Sequence, residues 1–164
     1  MFEPELRQTM QLIVAEATAR NLSFATAESC TGGLLAGLFT EIPGSSAVFD
    51  RGFVTYSNAA KTELLGVDSA IIAREGAVSA ATARAMVAGA LAHSQANIAI
   101  AITGIAGPGG GSAEKPEGLV WFACQIRGHE ARCVERRFGA LGRSRVRTAA
   151  LVTALALLRE ALGA

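Results

Sequence analysis

The chain has 164 residues, the length of one domain able to bury roughly two-thirds of its unfolded surface, so its core needs no disulfide or metal. Hydrophobic residues make up 51% and charged ones 18%, which excludes a disordered or collagen-like chain. With 15 basic against 14 acidic residues the net charge is +1. No global field therefore points to nucleic acid or an anionic membrane, and no apolar run reaches the ~18 residues of a membrane span.

The chain opens MFEPELRQTM, acidic and without an apolar core, so no secretory leader is expected and the protein reads as cytoplasmic. Pro4 suits a first helical turn, and Leu6, Met10, Ile13, Val14 and Ala17 recur at helical spacing until Asn21 closes the helix. Residues 22–27 read as a short buried strand running into Glu28-Ser29-Cys30-Thr31-Gly32-Gly33. Residues 34–39 are apolar without period-two alternation, hence a buried helix, stopped by Pro43-Gly44. The β-branched and aromatic stretch 48–56 predicts a strand, with a short helix following over 59–65. Ser79 is an N-cap for a helix over 81–91, and the wholly apolar run 98–102 predicts a strand buried on both faces. Residues 119–126 and 131–138 flank Gly128-His129, a hairpin signal. A two-residue turn there sets Cys124 directly across from Cys133, read as two small apolar residues packing in a sheet because cytosolic thiols stay reduced. Residues 143–162 form a long closing helix. Strands alternating with helices place the chain in the α/β class. The expected architecture is a three-layer α/β/α sandwich with a mixed, mostly parallel sheet, a single domain over residues 1–164.

Four constellations carry chemistry. Ser29-Cys30-Thr31-Gly32-Gly33 lies between a strand and a helix, where a hydroxyl meets unpaired backbone N–H groups. Tyr56-Ser57-Asn58-Ala59-Ala60-Lys61 leaves a strand for a helix. The chain uses 13 Arg and only two Lys, Lys61 and Lys115, and a lysine, unlike an arginine, can shed its proton and act as a base. Thr103-Gly104-Ile105-Ala106-Gly107-Pro108-Gly109-Gly110-Gly111 follows the most buried strand, where α/β sheets bind ligands. It matches neither a Walker A loop nor a dinucleotide fingerprint. Last, Arg132, Arg136, Arg137, Arg143, Arg145 and Arg147 cluster, with Arg143 and Arg147 on one helical face and able to clamp a phosphate. His93 and His129 lie far apart, near a helix end and in a turn, which argues against a Ser-His-Asp triad. The three cysteines lack metal-ligand spacing, so no metal is expected.

TAESCTGG (26–33), PGSS (43–46), FVTYSNAAK (53–61), GAVS (76–79), TGIAGPGGG (103–111) and KPEG (115–118) occur in order. Together they resemble the C-terminal domain of the competence/damage-inducible CinA family, whose stand-alone members are nicotinamide-nucleotide amidases. The resemblance covers essentially the whole chain. It implies hydrolysis of the carboxamide of nicotinamide mononucleotide to nicotinate mononucleotide and ammonia, in pyridine-nucleotide salvage and without a cofactor. On this reading Ser29 is the nucleophile and Lys61 the base. Tyr56 relays or positions the proton, and Ser46 is a second hydroxyl candidate. Cys30, Thr31, Gly32 and Gly33 bind the substrate, with backbone N–H groups around Thr31 to Gly33 stabilising the oxyanion. Thr103, Gly104, Gly107, Gly109 and Gly110 hold the nucleotide, while Arg143 and Arg147 meet its phosphate. Two rivals remain at this level: Cys30 as the nucleophile, and a non-catalytic nucleotide-binding or regulatory module linked to competence or DNA damage. The expected partner is a small molecule, with no nucleic acid and no membrane, and the low charge favours a homo-oligomer.

Overall fold

Strand β3 (Ile98–Gly104) sets the layering. Successive strand side chains alternate between faces, so Ile98, Ile100 and Ile102 fill one core while Ala99 and Ala101 fill the other. The computed structural model describes residues 2–163. Around β3 stand β1 (Phe24–Glu28), β2 (Phe49–Val54), β4 (Leu119–Ile126) and β5 (Arg132–Arg137), in the order β2-β1-β3-β4-β5. β1 is parallel to both β2 and β3, and the β3–β4 and β4–β5 pairs are antiparallel. Only β4 therefore runs against the rest, which makes the sheet mixed and mostly parallel, as expected.

The large-residue face is covered by α1 (Pro4–Ala19), α2 (Leu34–Thr40) and α6 (Arg143–Ala161). Met10, Ile13, Leu35, Leu38, Leu155 and Leu158 close over the isoleucines there, and Phe39 stacks on Phe49 with ring centroids 4.9 Å apart. The small-residue face carries α3 (Asn58–Leu65), α4 (Ser69–Glu75) and α5 (Ala80–Ala92). Alanines on the strands and Ala83, Gly89 and Ala90 on α5 let helix and sheet approach closely. Ser79 caps α5 as predicted, its Oγ accepting from the Thr82 N–H at 3.1 Å.

One element goes unread in the sequence, and one expectation fails. The segment between Leu65 and Ser79 contains α4, a seven-residue helix with no buried side chain, so it has no apolar stripe for periodicity to find. Its only legible marks are the Asp68 cap and Gly76 at its end. The hairpin also turns about Gly128 alone: Ala123 opposes Cys133, and Cys124 opposes Arg132. A one-residue offset moves a strand's side chains to the other face. Cys124 accordingly packs in the isoleucine core, while Cys133 lies against the alanine core on the far side of the sheet.

The close α3–α5 approach is testable at Gly89, where an added Cβ would lie inside the Leu65 carbonyl. Glycine to alanine in an exposed helix stabilises by about 1 kcal/mol. Here the overlap dominates, and Gly89→Ala should destabilise by about 1–3 kcal/mol. In urea denaturation the midpoint should fall with an unchanged slope; a raised midpoint would show that the helices are not in contact.

Candidate active site

After β1 the chain crosses one face through α2 to reach β2, then crosses the other face through α3–α5 to reach β3. The carboxyl ends of β1 and β3 are therefore a topological switch point, where neighbouring connections diverge and leave a crevice. Three loops meet there: residues 29–33 after β1, 55–57 after β2, and 105–118 after β3. Ser29 is tied to the crevice floor by its N–H, which donates to the Ile102 carbonyl at 2.9 Å.

Ser57 caps α3 by accepting from the Ala60 N–H at 3.0 Å. The helix that follows buries Lys61 and Leu65, four apart on one face. Lys61 is only 1% exposed. Its Nζ lies 3.1 Å from Ser29 Oγ and 2.9 Å from the Thr55 carbonyl oxygen. Neither neighbour is charged. Burial pulls the amine below the usual lysine range, with the nearby Cys30 thiol a smaller opposing influence. A neutral amine has two N–H bonds and one lone pair; if one N–H goes to the Thr55 carbonyl, the lone pair can take the serine proton.

The turn holding Ser29 is organised by Glu28, which is fully buried. Its Oε2 accepts from the N–H groups of Gly33 and Leu35, both at 3.1 Å, and its Oε1 from Ala36 at 2.8 Å. The carboxylate thus caps α2 from the preceding strand. The Gly32 N–H donates to the Ser29 carbonyl at 3.0 Å. This corrects the expectation that Gly32 and Gly33 donate to an oxyanion, since both donors are already committed. Among the described residues, the Cys30 and Thr31 N–H groups are the ones beside Ser29 with no backbone or carboxylate acceptor. The two glycines serve the turn instead, with φ of 60° and 93°.

The other expected residues divide. Arg143 donates to the Gly107 carbonyl at 3.1 Å and to the Tyr56 hydroxyl at 2.7 Å. Arg147 donates to the Thr31 carbonyl at 2.9 Å, and both its Nε and Thr31 Oγ1 are buried without a partner among the described residues. Tyr56 is 61% exposed, and its bonded hydroxyl braces Arg143 at the rim, so a relay between Ser29 and Lys61 is not its place. Thr103 is buried and donates to the Ala77 carbonyl at 2.8 Å. Gly104 lets β3 approach β4, since a Cβ there would sit 2.7 Å from Val120. Gly107 packs on Glu117, whose carboxylate also accepts from the Gly109 N–H at 3.0 Å. Gly109 and Gly110 stay exposed on the rim. Ser46 is not in the site: it lies in a 3-10 turn (Ser45–Ala47) before β2, at the opposite end of the sheet from Ser29. Lys115 donates instead to the Glu75 carbonyl at the end of α4.

Cys30 is buried against the same turn, and desolvation, aided by the Glu28 carboxylate, pushes its thiol up to about 12 despite its own N–H and the two arginines. Such a thiol is protonated at neutral pH and is a poor nucleophile. Among the described residues no three His, Cys, Asp or Glu side chains are grouped to hold a metal ion, and no helix is long and apolar enough to cross a membrane.

A model of the CinA C-terminal domain matches residues 6–162. The chain is 50% identical over 123 residues to the nicotinamide-nucleotide amidohydrolase PncC of Escherichia coli K12, covering 75% of this chain and 74% of that one. It is 52% identical over 120 residues to a CinA-like protein of Akkermansia muciniphila, covering 73% of this chain but 29% of the relative. It spans between 29% and 36% of the CinA-like and competence-damage relatives that it matches, about a third of their length. The crystal structure of competence/damage inducible protein CihA from Agrobacterium tumefaciens superposes with a TM-score of 0.96 at 51% identity, covering 100% of this chain and 99% of that one.

The raised thiol gives a direct check. Burial also pushes Cys124 up to about 12, so an aromatic disulfide reagent at pH 7.5 should leave Cys30 and Cys124 unmodified until the fold is opened. Cys30→Ala should keep kcat within a few-fold of the parent. Fast labelling of Cys30 with loss of activity would return the thiol to the mechanism.

Proposed function

The chain belongs to the CinA C-terminal domain family, and we propose that it is a nicotinamide-nucleotide amidase working through Ser29 and Lys61. The observation that carries this reading is the buried Lys61 Nζ at 3.1 Å from Ser29 Oγ, with no charged partner among the described residues to hold its proton. The relatives named for this activity, which the chain matches over three-quarters of its length, support the choice of substrate.

In the proposed reaction Ser29 Oγ attacks the carboxamide carbon while Lys61 takes the hydroxyl proton. The carbonyl oxygen becomes an oxyanion, met by the free N–H groups of Cys30 and Thr31. Lys61 then returns the proton to the amide nitrogen, the C–N bond breaks, and ammonia leaves an ester on Ser29. Water, deprotonated by Lys61, cleaves that ester to give nicotinate mononucleotide and restore the serine. Arg143, exposed at the rim, receives the phosphate, and Tyr56 holds its guanidinium in place. Arg147 steadies the nucleophile turn through Thr31. On the same reading, residues 1–164 act as one domain, in the cytoplasm and as a homo-oligomer, on a small molecule and not on nucleic acid.

Ammonia release from nicotinamide mononucleotide by the purified chain tests this directly, and its absence in folded protein would favour a binding module. Lys61→Met fills the slot with an apolar stem that carries no proton, whereas arginine is too large for a side chain with no free surface. The methionine variant should lose at least 10²–10⁴-fold in kcat with its circular dichroism unchanged. In the parent enzyme, kcat/KM should rise with pH as Lys61 deprotonates, with a midpoint below the ~10.4 of free lysine. A flat acidic limb, or near-parental kcat in Lys61→Met, removes Lys61 from the reaction.

Arg143→Ala separates phosphate recognition from bracing. Binding of the mononucleotide should weaken by ~1–3 kcal/mol, while the nucleoside lacking phosphate should show little further loss. Equal losses for both would make the arginine a structural brace alone.

A further inference from the structure

We propose that Glu28 is a positioning residue for the amidase reaction, one side chain and its own backbone fixing both members of the Ser29–Lys61 pair. The inference rests on the serine–lysine reading above. On the serine side, the carboxylate accepts three N–H groups, from Gly33, Leu35 and Ala36, and so locks α2 against the end of β1. The turn between those two anchors, residues 29–32, carries the nucleophile and the two uncommitted N–H groups. On the lysine side, the Glu28 carbonyl accepts the Thr55 N–H at 2.8 Å, and the Thr55 carbonyl in turn faces Lys61 Nζ at 2.9 Å.

A buried carboxylate is costly unless its lone pairs are satisfied, and Glu28 has no cation within bonding distance among the described residues. Its partners are the start of a helix, where the N–H groups lack intrahelical acceptors and the field favours an anion. Two charged oxygens accepting three donors make strong, short-range constraints. Glutamine cannot reproduce them, because it has one acceptor oxygen and its amide N–H₂ would confront backbone donors. Glu28 is fully buried with its carboxylate turned to the three backbone donors, so its effect passes through the geometry of Ser29 and of the Cys30 and Thr31 N–H groups. Capping by Glu28 also removes the first turn of α2 as an anion site, which leaves oxyanion stabilisation to the turn itself.

The test compares the full chain with Ser29→Ala, Glu28→Gln and Glu28→Asp. Aspartate keeps the charge and is one methylene short of the three donors, so it serves where glutamine fails to fold. Each folded Glu28 variant should keep KM for nicotinamide mononucleotide within about 3-fold. Its kcat should fall ~10²–10³-fold, the scale of losing an oxyanion donor. The midpoint of its acidic pH limb should stay where the parent has it, and Ser29 labelling by a fluorophosphonate should slow in parallel. Near-parental kcat and labelling in Glu28→Gln or Glu28→Asp, with only a lower Tm, would make Glu28 a helix cap and overturn the inference. A displaced pH limb would also overturn it, since Glu28 would then act on the lysine's proton. Ammonia release retained in Ser29→Ala overturns the serine reading and this inference with it. Loss in Ser29→Ala beside parental Glu28 variants overturns this inference alone.

Discussion

Burying a charged amine without an anion costs several kcal/mol, and the usual escape is to shed the proton. Lys61 is in that position: it is closed off from solvent and, among the described residues, offered a hydroxyl and a carbonyl but no carboxylate. Everything nearby is arranged so that this unfavourable burial persists. Ser57 fixes where α3 starts, the i,i+4 pair Lys61 and Leu65 faces inward, and β2 delivers the Thr55 carbonyl to orient the amine. The consequence is an amine whose proton is loosened by burial, set 3.1 Å from the Ser29 hydroxyl.

The alternation of large and small residues along the strands makes that placement possible. Isoleucines and phenylalanines hold α1, α2 and α6 on one face, while the alanines of β1, β3 and β4 admit α5 closely on the other. α3 packs on α5 at Gly89, without room for a side chain. A larger residue on that face would lift α3 outward and carry Lys61 away from Ser29. The packing of an apolar core several residues from the chemistry thus sets a 3.1 Å distance in the site.

Polar satisfaction divides the labour among groups that look equivalent in a motif. Of the seven N–H groups from Cys30 to Ala36, three go to Glu28 and two, those of Gly32 and Leu34, to turn carbonyls, which leaves those of Cys30 and Thr31 without an acceptor among the described residues. Of the two arginines on the α6 face, Arg147 is drawn inward to the Thr31 carbonyl, and Arg143 stays at the rim between Tyr56 and Gly107. The glycine-rich loop is likewise split between Gly104 and Gly107, which permit close packing, and Gly109 and Gly110, which remain exposed.

Local rules were enough for the sequence alone to determine much of this. The apolar run 98–102 specified a doubly buried strand, Ser79 a cap, and the periodicity of residues 4–19 a helix, because each depends on residues close in the chain. Lys61 stood out because a chain that otherwise uses arginine kept a lysine there, and Ser29 because it closes a strand before two glycines. The tertiary structure alone decided the rest. That Ser29 and Lys61 touch, that Ser46 lies at the far end of the sheet, and that Tyr56 braces Arg143 across 87 residues are facts of strand order. Cys124 and Cys133 separated because one residue of hairpin register, which composition does not encode, decides which face a strand side chain takes. Glu28 escaped notice because a glutamate in a motif carries no sign of burial. Only the approach of α2 to the end of β1 turns it from a surface charge into the acceptor for three buried donors.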